Sequence, residues 1–263
     1  MSGPDPSHAD LVGVVLAAGA GTRLAPLSRI RPKALCPVGG RPLVDHALAR
    51  IAPHVAELAV NVHHGRLLME AHLTRAGAAV RPHLSIEPGE ARGTAGALGL
   101  LRPWIAGRGV LLTNADAWLP ADLTDLVAGW DGERVRLLCV EDPDRGDFGS
   151  LRYCGAALLP WALVAALGEE PAGLYEVMWR AEQEAGRLDL ATHTGPFVDC
   201  GTAADYLAAN LEASGGVSVV DEGARLGEGC EVVRSVVWGD AEVAAGERLV
   251  DAVRGGTVTV LVR

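Results

Sequence analysis

Short, nearly continuous apolar runs alternate with amphipathic stretches through the first half of the chain. The runs LVGVVLA (11–17), ELAVNV (57–62), VRPHLSIE (80–87), GVLLTNAD (109–116) and RVRLLCVE (134–141) have strand length. Apolar runs of that kind belong to strands covered on both faces. Between them, PLVDHALARIA (42–52), GRLLMEAHLTRA (65–76), GTAGALGLLRPW (93–104) and PADLTDLVAGW (120–130) carry helical spacing. Strand and helix in this rhythm predict βαβ units, and so an α/β fold with a mostly parallel mixed sheet flanked by helices. Such sheets bind ligands beyond the carboxyl ends of their strands, so functional residues are expected just after the apolar runs.

Past Asp142 the rhythm loosens. EDPDRGDFGS (141–150) reads as a polar loop, LRYCGAALL (151–159) as a strand, and PAGLYEVMWRAEQEAG (171–186) as a helix capped by Gly186. FVDCG (197–201) reads as a strand running into the helix TAADYLAANLEA (202–213), and Ser214–Gly216 as a boundary. Read in sixes from Leu226, the tail gives LGEGCE, VVRSVV, WGDAEV, AAGERL and VDAVRG, with Leu226, Val232, Trp238, Ala244 and Val250 at the first positions. A six-residue apolar period suits a short parallel β-helix; a few irregular strands laid on the main core are the alternative. Two coils are fewer than the ~3 repeats that normally stand alone. The tail is therefore expected to cover its open face on the main domain or on another subunit, the second case giving a homo-oligomer. The organisation predicted is a disordered start (1–10), a main domain (11–214) and an extension (217–263).

Composition narrows the class. A chain of 263 residues buries a substantial core without disulfides, and no apolar run reaches the ~18 residues of a membrane span. MSGPDPSHAD has neither the basic nor the apolar region of a signal peptide, so the expected location is cytoplasmic. Five scattered cysteines with no CxxC spacing read as small apolar fillers. A net charge of −10 disfavours nucleic-acid binding, which needs a basic surface. Any phosphate partner must meet a local cluster, and Arg23, Arg29, Arg31, Lys33 and Arg41 supply one within residues 23–41.

That cluster follows AAGAGTRL, which is neither GxGxxG, since Leu24 takes the third glycine position, nor a Walker loop. The pair Gly19 and Gly21 after a buried strand lets backbone N–H groups converge on a phosphate or a base edge, although an ordinary tight turn has the same look. Lys33 is the only lysine against 22 arginines. Arginine clamps oxygens with a planar fork, whereas an ammonium is a compact, mobile point charge. The exception implies that position 33 requires the ammonium. Asp116 and Asp199 each close an apolar run and, in a parallel sheet, would reach the same rim, where Mg²⁺ takes one or two carboxylates and fills its shell with water and phosphates. Each could instead be a helix N-cap. His63 and His64 point to opposite faces if extended and lack a third ligand, so they read as loop residues and not a zinc pair.

LAAGAGTRLAPLSRIRPKALCPVGGRPL resembles the signature of the sugar-1-phosphate nucleotidylyltransferases, LAAGxGTRLxPLTxxxPKxLxPVxGKPL. EPGEARGTAGAL (87–98), TNAD (113–116) and FVDCGTAADYLAAN (197–210) resemble, in order, that family's base-reading segment and its two metal-aspartate motifs. The resemblance implies the Rossmann-like nucleotide-diphospho-sugar transferase fold and the reaction of an NTP with a sugar-1-phosphate to give a nucleotide sugar and pyrophosphate. It implies that Leu16, Ala17, Ala18, Gly19, Gly21, Thr22, Glu87, Gly93, Thr94 and Asn114 bind the nucleotide. Arg23 and Lys33 would be catalytic, Asp116 and Asp199 would hold Mg²⁺, and Gly155 would line the sugar pocket. The tail resembles the truncated, left-handed β-helix of the mannose-1-phosphate guanylyltransferase branch, which favours GTP. GDF (146–148) and NVHH (61–64) are instead similar to the N-acetylmuramate-1-phosphate uridylyltransferases. The family's second lysine, which holds the sugar phosphate, is missing, and Arg152 or Arg180 stand as substitutes. A reading of another class is a silent homologue that binds a nucleotide sugar and regulates a partner. Loss of Arg23, Lys33 or a metal aspartate would mark it, and all are present.

Overall fold

The computed structural model describes residues 11–75 and 81–262; the expected disordered start lies outside them. Strands β1 (Leu11–Leu16), β2 (Leu58–Val62), β3 (His83–Ile86), β4 (Gly109–Asn114), β5 (Val135–Glu141), β6 (Leu151–Leu159) and β7 (Leu188–Thr192) form one sheet in the order 7-5-6-4-1-2-3. All neighbours pair in parallel except β6, which runs antiparallel to both β4 and β5. Every residue of β1 and β2 is buried, which is why both read as unbroken apolar runs. The sequence pattern passed over β7. This edge strand is half-buried along its length, and Asp189 interrupts its apolar residues.

The order places a switch point between β1 and β4, because the chain runs outward through β2 and β3 on one side of β1 and then returns to the other. At their carboxyl ends Leu16 pairs with Asn114, so AAGAGTR and TNAD emerge side by side, where a ligand crevice is expected. The helices Leu43–Ile51, Arg66–Leu73 and Gly93–Ile105 lie where the spacing put them. The helix expected over 120–130 shrinks to the turn Thr124–Val127. Asp122 Oδ1 accepts the Thr124 N–H at 2.9 Å ahead of it, and Gly129 at φ 59° unwinds it behind. The helix expected over 171–186 contains a π-turn at Tyr175–Trp179.

Packing divides the chain differently from a boundary at 214–216. Among the described residues, those up to Gly19, 47–115 and 119–197 make one compact unit, and 20–46, 116–118 and those from Val198 onward make another. The physical reason is a shared core in the second unit. Leu24, Leu27, Val38 and Leu43 pack with Tyr206 and Leu207 of the helix Ala203–Ala213 and with Val236, Trp238 and Val253 of the tail.

The tail forms parallel coils. Val219 pairs with Val236 and Val236 with Val253, Arg225 with Glu242, and Glu231 with Arg248. Partners therefore lie seventeen positions apart, one short of three sixes. The residue is saved at a tight corner, where Arg234 at φ 45° and, one coil later, Asp251 at φ 49° turn the chain and pair through Arg234 Nε and Asp251 Oδ1 at 2.7 Å. The apolar phase consequently slips at each such corner. Of the expected first positions Trp238 is fully buried and Val232 half-buried, whereas Leu226, at the open first coil, and Ala244 and Val250 are exposed; Val237, Val243 and Leu249 point inward. A final strand, Val258–Leu261, turns back antiparallel.

Candidate active site

Two groups of side chains lie along the segments the sequence singled out, one in each unit. In the second unit, Lys33 sits in the one-turn 3₁₀ segment Lys33–Leu35 and is only 5 % exposed. Its stem runs beneath Gly21, where a Cβ would lie 2.9 Å from Lys33 Cβ, and Gly21 itself is left-handed at φ 60°. Packing of the stem aims the ammonium. Nζ donates to Asp116 Oδ2 at 3.2 Å and to Asp199 Oδ1 at 3.4 Å.

The aspartates meet by a route the sequence did not suggest. Asp199 does not end a strand of the main sheet; Val198–Asp199 pairs antiparallel with Ala117–Trp118, setting Asp199 opposite Ala117 and so diagonal to Asp116. Neither is an N-cap of the following helix, a task done by Thr202, whose Oγ1 accepts the Asp205 N–H at 3.1 Å. Arg23 Nη2 lies 3.6 Å from Asp199 Oδ2 with its side chain 68 % exposed. Its guanidinium rests on Gly201, where a Cβ would come within 2.8 Å of Nη2. Of the rest of the basic cluster, Arg31 reaches Asp240 and stacks on Trp238, Arg41 donates to Asp45 O, and Arg29 is exposed. Burial pushes the Cys36 and Cys200 thiols up to about 12, so both are neutral fillers at physiological pH.

In the first unit, Leu16, Ala17, Ala18 and Gly19 follow β1. Asn61, near the end of β2, accepts the Ala17 N–H on Oδ1 and donates through Nδ2 to Glu87 Oε1, both at 2.7 Å. The other oxygen, Oε2, accepts the Arg92 N–H at 2.8 Å, and the Glu87 carbonyl meets His63 Nδ1 at 3.2 Å. Glu87 is 3 % exposed with both oxygens engaged, so it braces the 87–93 loop. Gly93 opens the following helix, and Thr94 Oγ1 accepts the Leu174 N–H at 2.8 Å. Asn114 ends β4 beside Gly155 of β6. Thr22 is an exposed residue of the 3₁₀ turn Thr22–Leu24 in the second unit.

Sequence reasoning quoted Asn61, Tyr206 and Asn210 only as parts of motifs, with no role for the single residues. The Tyr206 hydroxyl donates to Pro37 O and accepts from Trp238 Nε1 at 3.0 Å. Asn210 accepts the Gly39 N–H at 3.1 Å and donates to Tyr206 O at 3.0 Å. The buried pair thus holds the turn that follows Lys33. Their four-residue spacing on a helix was the available signal. Of the two arginines considered for a sugar phosphate, Arg152 lies 3.4 Å from Asp142 and over Phe197, and Arg180 lies exposed over Tyr175.

Among the described residues no three His, Cys, Asp or Glu side chains converge. Asp116 and Asp199 are a pair of hard oxygen donors in part-exposed positions, which fits a divalent cation that completes its shell with water and substrate oxygens and does not fit a zinc cage. No helix among the described residues is long and apolar enough to cross a membrane.

A mostly parallel α/β sheet with a glycine loop at its switch point, and a lysine set between two aspartates, defines a phosphate-handling α/β protein. The chain belongs to the Nucleotidyl transferase family, whose model matches residues 12–151, more than half of the sequence. It is 39 % identical over 137 residues to an N-acetylmuramate alpha-1-phosphate uridylyltransferase of Caulobacter vibrioides, covering 49 % of this chain and 57 % of that protein. A protein of the same name from Neisseria meningitidis serogroup B is 26 % identical over 213 residues, 72 % of this chain and 92 % of its own. Matches thus span little more than half of the first relative's length. Among solved structures, one titled mannose-1-phosphate geranyltransferase from Thermus thermophilus superposes with a TM-score of 0.69 at 21 % identity, covering 96 % of this chain and 95 % of that one. A putative glucose-1-phosphate thymidylyltransferase from Bacillus anthracis gives 0.64 at 19 %, covering 77 % of this chain and 95 % of its own. These two likenesses establish the fold, tail strands included in the first.

Proposed function

We propose that the protein is a sugar-1-phosphate nucleotidylyltransferase: a phosphate oxygen of the sugar-1-phosphate attacks the α-phosphorus of an NTP in line, and the bond to pyrophosphate breaks. The observation that carries this reading is Lys33 Nζ at 3.2 and 3.4 Å from two aspartates drawn from segments 83 residues apart. A buried ammonium so fixed is placed to counter charge that gathers on the α-phosphate, and exposed Arg23 to clamp the phosphates beyond it. Asp116 and Asp199 would hold Mg²⁺, which would supply positive charge against the phosphates. Ala18 and Gly19 would offer backbone N–H groups to the nucleotide, and the Asn61–Glu87 brace, which takes the Ala17 N–H, keeps that segment in one shape before substrate arrives. No covalent enzyme intermediate is needed.

Relatives named as uridylyltransferases, together with GDF and NVHH, support UTP with an amino-sugar 1-phosphate as the first pair to try. The coiled tail, which resembles that of the mannose-1-phosphate guanylyltransferase branch, supports a second reading, GTP with mannose-1-phosphate. Pyrophosphate release measured across five NTPs and a panel of sugar-1-phosphates, with Mg²⁺, separates them. Turnover with one NTP is expected. Absence of turnover with every pair, alongside tight binding of a nucleotide sugar, would favour the regulatory homologue instead.

A further inference from the structure

Arg50 lies in the helix Leu43–Ile51, and its guanidinium is buried without a carboxylate partner among the described ion pairs. Burial pulls it down to about 10, so it remains a cation at neutral pH. A buried charge of this kind is costly unless its donors are satisfied, and the structure shows where they go. Nη1 donates to the Leu119 carbonyl at 2.6 Å, and Nη2 to the Asn114 carbonyl at 3.1 Å. Nε and Nη2 also converge on Thr113 Oγ1 at 3.1 and 2.7 Å, and that hydroxyl in turn donates to the Gly155 carbonyl at 2.9 Å.

The spacing of these acceptors matters. Asn114 is the last residue of β4, and Leu119 follows the short strand Ala117–Trp118. One planar fork therefore holds both ends of the chain excursion that carries Asp116, and through Thr113 it also fixes the carbonyl of the glycine expected to line the sugar pocket. An apolar residue would meet the packing demand of a helix facing a sheet. What only a guanidinium supplies here is donors in two directions at once.

We propose that Arg50 is a positioning residue that sets Asp116 by clamping residues 114 and 119, the two ends of the segment that carries it. This rests on the reading of Asp116 as a site aspartate. A lysine at position 50 keeps the charge but can reach only one of the two carbonyls at a time; a methionine keeps the volume and loses both.

The test compares wild-type protein with Arg50→Lys and Arg50→Met by two readouts. The first is hydrogen–deuterium exchange of peptides spanning 114–119, which needs no activity. Exchange is expected to rise at least tenfold there in both variants, with the strands β1 and β2 unchanged. The second is Mn²⁺ binding followed by electron paramagnetic resonance with the nucleotide present, together with the Mg²⁺ dependence of pyrophosphate release. The metal requirement is expected to rise about tenfold in Arg50→Lys, with the KM for the NTP altered less than threefold. Unchanged exchange over 114–119 in a folded Arg50→Lys protein overturns the clamp, and so does loosened exchange with an unaltered metal requirement. If Arg50→Met does not fold, Arg50→Lys alone decides. If the wild type releases no pyrophosphate and Asp116→Asn leaves Mn²⁺ binding unchanged, the functional reading fails; the exchange measurement then still decides whether Arg50 clamps the loop.

Discussion

The two groups of site residues are built on opposite principles. The group in the sheet unit is closed: Asn61 and Glu87 direct their polar atoms at the protein's own backbone and at each other, and Glu87 has no oxygen left over. The group around Lys33 consists of charges that face one another at 3.2 to 3.6 Å, with Arg23 largely in solvent. A closed network defines a shape, whereas a loose set of charges can reorganise around a partner that brings its own charge. Under the proposed function, the first arrangement would serve to hold a nucleotide and the second to balance charge at phosphorus.

The largest test of that contrast is Lys33→Arg. The net charge is kept, but a planar fork cannot reproduce the single ammonium that meets both aspartates at 3.2 and 3.4 Å. Turnover is expected to fall by about a hundredfold, roughly 3 kcal/mol of barrier, measured as kcat for pyrophosphate release; near-normal kcat would show that any cation serves. A middle-sized effect is expected from Asn61→Leu, which strands the Ala17 N–H and Glu87 Oε1. Leaving buried groups unpaired costs on the order of 1–2 kcal/mol, here seen as a KM for the NTP raised about tenfold with kcat within threefold. A drop in kcat at constant KM would instead assign Asn61 to the chemistry.

The smallest effect concerns the support beneath the charged group. Burial raises the Asp221 carboxyl from 3.8 to about 6 against the opposing pull of Arg31, with Asp240 adding to the rise, and its Oδ1 is buried without a partner. A carboxyl whose folded pKa is raised favours its neutral form in the fold. Its penalty is absent below about pH 4, grows between 4 and 6, and is complete above 6. Asp221→Asn should therefore stabilise the protein at pH 7 by about 1 kcal/mol, after discounting for partial exposure, and leave it unchanged at pH 4. Urea unfolding at the two pH values measures this; equal gains at both would refute the linkage.

Much of this was legible in the sequence, for identifiable reasons. Strands buried on both faces print continuous apolar runs, so β1 to β6 were found, and a half-polar edge strand such as β7 was not. The glycine loop, Arg23, Lys33, Asp116 and Asp199 were found because their chemistry and spacing are unusual for a purely structural role. That Asp199 reaches Asp116 through a small antiparallel ribbon was hidden, since two-residue strands have no period. The roles of Asn61 and Arg50 were hidden for a different reason: a single polar residue within a strand or helix looks the same whether it faces water or a buried carbonyl. In the tail the period was visible, but its phase was lost at Arg234, where a left-handed corner removes one residue from the count.

The four charges around Lys33 have a consequence for encounter. Two cations and two carboxylates cancel locally, on a chain that carries −10 overall. Under the proposed function, a polyphosphate approaching from long range would meet the repulsion of a chain with net charge −10 before any attraction. Attraction begins only within about a Debye length, ~8 Å at physiological salt, where Arg23 projects beyond the neutral cluster. Capture here is consequently a short-range event, and added salt, which screens the repulsion first, eases the approach of an anionic substrate.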